Sequence, residues 1–345
     1  MSICAQDIIQ EKDSISIYQD INDLSKKNHF SRFIYKLLFR ESALKAENLI
    51  PSKAKKKKKE KAVSKYQEGK IIRNITIESL DPFGYSVTNE KKVPKRKLEI
   101  FGNSVHIKTK DITIRNIMLF KKYDKLDSKL VAESERLIRS QRYIREVTII
   151  PIDIPNSKDS IDVKIRVLDS WTLIPTGSLS SKESSIKLTE RNILGFGHLI
   201  SGNIKNRFDT KENATYAQYS INNIKNTYIR LDLDYANDFN DDSKRSININ
   251  RPFYSVITKN AGGAYFENRL RTEQFPIADT LVLQDISYDF QEYWYGRAFK
   301  INSKSNPERY FNNLILALTY NQKVFGRRPD VLLDPSTYFS NEKNW

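Results

Sequence analysis

The sequence predicts an α+β module followed by an antiparallel transmembrane β-barrel, and three observations predict it. The order strand, helix, helix, strand, strand fills residues 69–170. Beyond Trp171 the helical period gives way to strands that alternate apolar and polar residues. No apolar run approaches the 18 or so residues that a membrane helix needs, so strands must make any membrane crossing.

Residues 1–68 form an N-terminal segment. Met1 to Gln6 reads as the tail of an export signal, with Ala5 just before the cut. Between Ile21 and Arg40, Phe30, Phe33, Ile34, Leu37 and Leu38 recur at helical spacing. Lys26, Lys27, Arg32, Lys36 and Arg40 take the other faces, so this basic amphipathic helix can pack on a neighbouring domain or lie on a membrane surface. Lys53 to Lys65 has no apolar period and accounts for much of the net charge of +16. Its run Lys55, Lys56, Lys57, Lys58, Lys59 reads as a solvated linker, or as an anionic surface-binding tract facing lipid headgroups or an acidic partner. No aromatic-interleaved basic surface accompanies the run, so nucleic acid is not an expected partner.

Within the module, Ile71 to Ile77 is a strand rich in β-branched residues, stopped by Asp81-Pro82 and Gly84. A polar stretch to about Ile107 follows, then a helix over Thr109 to Lys122. Asp127 is placed to cap a second helix, whose stripe of Leu130, Val131, Leu137 and Ile138 leaves Glu133, Glu135, Arg136 and Arg139 outward. Val147 to Ile154 is a strand containing Pro151, which cannot donate to a ladder and so belongs at a sheet edge. Ile161, Val163, Ile165 and Val167 alternate with Asp162, Lys164, Arg166 and Leu168, giving a half-buried closing strand.

The remaining strands are expected at 186–197, 198–208, 216–224, 227–235, 246–253, 261–270, 281–295 and 311–324, about eight in all. Tyr and Phe near strand ends suit interfacial aromatic girdles. A soluble β-sandwich or barrel shares the alternation.

No catalytic constellation emerges. The single cysteine, Cys4, excludes an internal disulfide and a cysteine metal cluster, and His29, His106 and His198 are far apart in sequence. Gly102-Asn103-Ser104-Val105-His106 lacks the second glycine of a nucleophile elbow. Gly195-Phe196-Gly197 lacks the third glycine of a dinucleotide loop. Asp232 and Asp234 share a strand face and read as lumen-facing. The chain is therefore expected not to be an enzyme and to need no cofactor.

Residues 130–147, with Leu137, Arg139, Tyr143 and Val147, resemble the second helix and following strand of a POTRA domain. Asp162 to Asp169 resembles its last strand. Glu190-Arg191-Asn192-Ile193-Leu194-Gly195-Phe196-Gly197 looks like the first barrel strand and turn of BamA-like proteins, and Asn250-Arg251-Pro252-Phe253 is similar to a later strand. The chain thus resembles, from Gly69 onward, the BamA/TamA-like outer-membrane assembly and translocation superfamily (bacterial surface antigen family). The domain organisation that follows is an N-terminal periplasmic segment at 1–68, a POTRA-like domain at 69–170 and the N-terminal portion of a barrel at 171–345. The resemblance implies sixteen strands, so with about eight the chain is expected to be a truncated one. The Arg-Gly-aromatic motif of the family is missing; Gly296-Arg297-Ala298-Phe299 does not match it.

The resemblance implies a location in the bacterial outer membrane with the N-terminal part in the periplasm. It implies a role in insertion or translocation of unfolded outer-membrane or secreted protein clients, with outer-membrane lipid and accessory periplasmic proteins as further partners. Clients would bind by β-augmentation. One expected edge is Val147, Thr148, Ile149, Ile150 and Ile152; the other is the first barrel strand at Ser185, Ile186, Lys187, Leu188, Gly195 and Gly197, its end loosened by the glycines. The alternative is a soluble or surface-attached all-β binding module with a basic partner-binding tract.

Overall fold

A computed structural model describes residues 67–277, 280–301, 312–329 and 339–344. The amphipathic helix expected at Ile21 to Arg40 and the Lys55–Lys59 tract lie outside the described residues.

The module is a three-stranded sheet in the order β1-β3-β2, built from β1 (Ile71–Leu80), β2 (Ile144–Asp153) and β3 (Ser160–Asp169). β3 runs parallel to β1 and antiparallel to β2. Three helices connect β1 to β2: α1 (Lys97–Ser104), α2 (Asp111–Arg115) and α3 (Ser128–Arg139). α3 starts where the sequence places it, because the Asp127 carboxylate accepts from the backbone N–H groups of Lys129 and Leu130. Its buried residues are Val131, Ser134, Leu137 and Ile138. They pack on Ile72, Ile75 and Ile77 of β1, Val147 and Ile149 of β2, and Ile161, Val163, Ile165 and Val167 of β3.

Two local expectations fail. The helix at Thr109 to Lys122 shortens to the five residues of α2, and the chain then turns so that Ile117, Met118 and Phe120 enter the core. The polar stretch before Ile107 contains α1, and the segment at 81–90 covers the second face of β3. Leu168, expected to face outward, is therefore buried with Leu80 and Val87. Arg166 is buried there too, donating to Glu78 and to the Val87 carbonyl. Burial pushes the Glu78 carboxyl up, but Arg166 and Lys164 outweigh it and hold the group below its ordinary range.

Asp169 is followed almost at once by a second sheet of ten strands, ordered β13-β12-β11-β10-β9-β8-β7-β6-β5-β4, with every neighbouring pair antiparallel. Its members are β4 (Leu173–Leu179), β5 (Glu183–Ile193), β6 (His198–Arg207), β7 (Asn213–Ile221), β8 (Arg230–Asn237), β9 (Ser243–Arg251), β10 (Asn260–Ile277), β11 (Thr280–Ile301), β12 (Asn312–Arg327) and β13 (Glu342–Asn344). Eight of these are the expected strands. β4 and β13 escaped the sequence reading: β4 carries Pro175 and Gly177 and no clean alternation, and β13 is three residues long.

The two faces of this sheet reverse the usual sidedness. One row of cross-strand partners runs Ile200, Tyr219, Leu233, Ile247, Phe266. Its neighbour runs Ile221, Leu231, Ile249, Ala264, Tyr293, Tyr320. Ile200, Leu233, Ile247, Ile249 and Tyr293 on this face are exposed. The opposite face buries Ser201, Ser220, Asp232 and Ser246. Asp234 accepts from Gln218 and Ser246, Asp232 accepts from Arg230 and Asn248, and Glu267 is paired with Tyr265, Tyr288 and Lys244. Polar groups are thus gathered on the concealed face, many of them paired, though Ser220 Oγ, Asn203 Oδ1, Asn250 Oδ1 and Arg269 Nε find no protein partner there, and apolar groups are displayed.

The apolar band also slides along the strands. The row through Leu188 of β5 passes Gly202, Ala217, Tyr235, Arg245, Asn268 and Asp289 and ends at Val324 of β12. In β12 the exposed leucines centre instead on Leu316, eight positions earlier. Eight residues of about 3.3 Å over seven strand steps of about 4.8 Å give a tilt of about 38° between the strands and the normal to the band. Membrane barrels tilt by roughly 35–45°.

Candidate functional site

The features available for recognition are strand edges, beside an open polar hollow on the concealed face of the sheet lined by Lys187, Asn203, Lys205, Gln218, Asp234 and Lys244. Among the described residues no group of three or more His, Cys, Asp or Glu side chains is placed to hold a metal ion, and no helix is long and apolar enough to cross a membrane.

The first edge is β2, which among the described residues pairs only with β3. Val147 and Ile149 point into the core, 3% and 4% exposed, while Ile152 is exposed and Thr148 and Ile150 are half-buried. An added strand would therefore meet the β2 backbone and the outer side chains of Thr148, Ile150 and Ile152. The side chains of Val147 and Ile149 can support the strand but not touch a ligand. Pro151 sits opposite Val163 within this edge. At its end Asp153 accepts from Lys70 and Gln67, which hold its carboxyl below the ordinary range.

The second edge is not where the sequence reading put it. Ser185, Ile186, Lys187 and Leu188 lie in β5, which pairs with β4 on one side and β6 on the other. Its hydrogen-bonding groups are already committed along both sides. The edge strand is β4, Leu173–Leu179, seven residues interrupted by Pro175 and Gly177. A short edge with a proline resists uncontrolled pairing while leaving a few groups available.

Gly195 and Gly197 are not free to loosen a strand end either. They have φ of +78° and +70°, and a Cβ at Gly195 would lie 2.4 Å from the Lys108 carbonyl oxygen. One at Gly197 would lie 2.6 Å from the Tyr143 hydroxyl. Both need glycine because the β5–β6 turn is pressed onto the module. Lys110 N–H and Thr113 Oγ1 donate to the Gly195 carbonyl at 3.0 and 2.8 Å. Lys110 Nζ stands 3.8 Å from the Phe196 ring centroid.

A buried chain of hydrogen bonds completes this junction. Asp169, the last residue of β3, is fully buried and accepts from Thr109 N–H and Thr109 Oγ1, each at 2.8 Å. His106 Nε2 lies 3.0 Å from the same carboxylate, with its side chain 1% exposed. Asn192 Nδ2 donates to Thr109 Oγ1 at 2.9 Å, and Asn192 Oδ1 accepts from Gly197 N–H at 2.6 Å. Burial, with Asp169 nearby, pushes the Tyr143 phenol up. His106 and Asp169 are an acid–base pair by composition, yet both are sealed from substrate. They join the module to the first hairpins of the sheet.

Two further turns dock on the same side. Asn223 Nδ2 donates to the Asn116 carbonyl at 2.6 Å, and Tyr228 OH donates to the Ile117 carbonyl at 2.8 Å. Tyr228 stacks on Tyr254 with centroids 3.7 Å apart, and Arg136 of α3 donates to the Tyr254 carbonyl. The sequence signalled the Asn192–Gly197 turn through its glycines; the remaining contacts join residues 26 to 118 positions apart and leave no local pattern.

No family model matches the chain, and no curated protein matches it. Among solved structures, BamA from Haemophilus ducreyi lacking POTRA domains 1–3 is similar over 73% of this chain and 43% of its own, with 14% identity and a TM-score of 0.35. CdiB from Acinetobacter baumannii is similar over 76% of this chain and 47% of its own, with 11% identity and a TM-score of 0.39. This chain spans less than half the length of either structure. Likeness at that distance assigns neither a family nor an activity.

Proposed function

We propose that this protein is a membrane-embedded strand-capture device of the bacterial outer membrane, assisting the insertion or translocation of other proteins. The observation that carries the reading is the reversed sidedness of the ten-stranded sheet. An exposed face built from Ile200, Leu233, Ile247 and Ile249 suits hydrocarbon, and a concealed face built from Ser220, Asp232, Asp234 and Glu267 suits a polar lumen. A soluble binding module would carry the opposite arrangement, which disfavours that alternative.

In this reading the module lies on the periplasmic side as a POTRA-like domain. An unfolded outer-membrane or secreted client pairs first with the β2 edge, through the backbone of Val147, Thr148, Ile149, Ile150 and Ile152. It then pairs with β4, where main-chain hydrogen bonds supply affinity with little demand on sequence. Lys55 to Lys59 add attraction to an anionic lipid surface. The docked turn at Asn192–Gly197 fixes the distance between the two edges, so a strand released from one is presented to the other.

Cross-linking tests this. With Cys4→Ser as background, Thr176→Cys in β4 and Ile150→Cys in β2 are each mixed, in the presence of a copper–phenanthroline oxidant, with an unfolded outer-membrane protein bearing a single cysteine in a strand. Both positions should form mixed disulfides, whereas Lys187→Cys in the doubly paired β5 should not. Equal yields at Thr176→Cys and Lys187→Cys would sink the edge-capture reading.

A further inference from the structure

We propose that residues 91–107 form an anchor for an anionic lipid surface, with the Leu98, Phe101 and Val105 face of α1 entering the membrane interface beside the β4 edge. The inference rests on the membrane reading of the ten-stranded sheet.

α1 is oriented against the usual rule for a surface helix. Leu98, Phe101 and Val105 recur at i, i+3 and i+7, on one side, and are 61%, 60% and 56% exposed. Val93, Ile100 and Ile107 are exposed around them. The side turned to the protein carries Gly102 against the Phe83 ring and Asn103, whose amide donates to the Phe83 carbonyl at 2.9 Å and accepts from its N–H at 3.2 Å. Glu99 accepts from the backbone N–H groups of Lys95 and Arg96 and closes the first turn. The helix is held in this orientation by specific polar contacts, so its outward apolar face is a built feature.

Charge selects the occupant. Lys91, Lys92, Lys95, Arg96, Lys97, Lys108 and Lys110 fall within twenty residues that contain a single acid, Glu99. Lys108 is paired with Asp81 and Lys110 lies over Phe196, while Lys91, Lys92, Lys95, Arg96 and Lys97 surround α1 and are exposed. An apolar stripe rimmed by cations matches a membrane of anionic lipid, with acyl chains for the stripe and phosphates for the rim.

Position supports the same occupant. Phe83 packs on Trp171 with centroids 5.8 Å apart, and His106 lies at 6.4 Å from the same indole. Trp171 stands two residues before β4. The loop after α1 also holds the Gly195 turn, where Leu194 and Phe196 are exposed. In β5 the apolar band, Ile186 and Leu188, stops six residues short of Leu194 in this turn, and in β6 it resumes at Ile200, four residues beyond Phe196. α1 is thus fixed at the end of the sheet where the band meets water, next to the strand that offers a free edge.

The test uses the full chain with Cys4→Ser, reconstituted into phosphatidylcholine vesicles with or without phosphatidylglycerol. An environment-sensitive fluorophore is placed at Phe101→Cys, at Ile247→Cys on the exposed sheet face, and at Lys158→Cys in the distal β2–β3 turn. Quenching by brominated lipid is then read. The proposal expects the Phe101→Cys label to be quenched about threefold more with phosphatidylglycerol than without it. Adding Lys91→Glu, Lys92→Glu and Lys95→Glu should remove that difference. Quenching at Phe101→Cys that is equal in both lipids, or no greater than at Lys158→Cys, overturns the proposal. A label shielded from both lipid and aqueous quencher overturns it too, in favour of a protein segment covering the helix. If Ile247→Cys is quenched while Phe101→Cys is not, the anchor alone fails. If neither is quenched, the membrane reading itself has failed.

Discussion

The module and the ten-stranded sheet are made from the same kinds of residue and obey opposite rules. In the module, Ile72, Ile161 and Ile165 are fully buried and the charges of β3 face outward or are paired. In the sheet, Ile186, Ile204 and Leu318 are largely exposed and Ser220 and Asp232 are buried. Strand alternation is identical in the two, so period alone does not reveal which face is covered. On the membrane reading proposed above, what differs is the solvent each sheet is built for. Water drives apolar groups inward in the first, whereas hydrocarbon tolerates them outside and penalises polar groups in the second.

Substitutions on corresponding positions separate the two regimes. The largest effect is expected in the module core: Ile165→Ala at the centre of β3 should destabilise it by about 2–5 kcal/mol, read from denaturant unfolding. Next, Ile247→Arg should cost about 2–4 kcal/mol in lipid-refolding equilibria near the bilayer centre. In a water-soluble β-protein the same exposed position would tolerate arginine within about 0.5 kcal/mol. A neutral outcome in lipid would break the comparison.

The junction supplies a sharper pair. Gly197→Ala places a side chain at positive φ and against the Tyr143 hydroxyl, at a cost of about 1–3 kcal/mol. Gly202→Ala, in β6 with open space around it, should be nearly silent when both variants are compared by thermal unfolding. The smallest effect concerns acid. Arg136, outweighing burial, holds the Glu133 carboxyl below its ordinary range. A depressed folded-state value contributes stability above the unfolded pKa of about 4.5 and loses it as pH falls through the folded one. Glu133→Gln should therefore flatten the stability profile below about pH 4.5, by roughly 0.5 kcal/mol for this partly exposed pair.

Much of the architecture was legible because it rests on local signals. Asp127 announced α3, Pro151 announced an edge, and the alternation of Ile229, Leu231, Leu233 and Tyr235 announced β8. β4 was hidden because Pro175 and Gly177 erase the β signature, which shifted the expected edge onto β5 and its residues Ser185 to Leu188. The glycines at 195 and 197 were visible, yet their reason was not: it lies in Lys108 and Tyr143, about 50 to 90 positions away. α1 was concealed for a different cause. Its apolar residues point outward, and the run of lysines before it reads as a loop. The Asp169–Thr109–Asn192 chain is likewise a product of tertiary proximity, with no spacing to betray it.

The sidedness of the large sheet is the central claim, and spin-label accessibility along β8 tests it most directly. Single labels at Leu231, Asp232, Leu233, Asp234 and Tyr235, in the Cys4→Ser chain reconstituted in lipid vesicles, are probed with oxygen and with a water-soluble nickel chelate. Oxygen, which concentrates in hydrocarbon, should dominate at 231, 233 and 235, and the chelate at 232 and 234. Chelate access at all five positions, or dominance of oxygen at 232 and 234, would contradict a sheet that faces lipid with its apolar side.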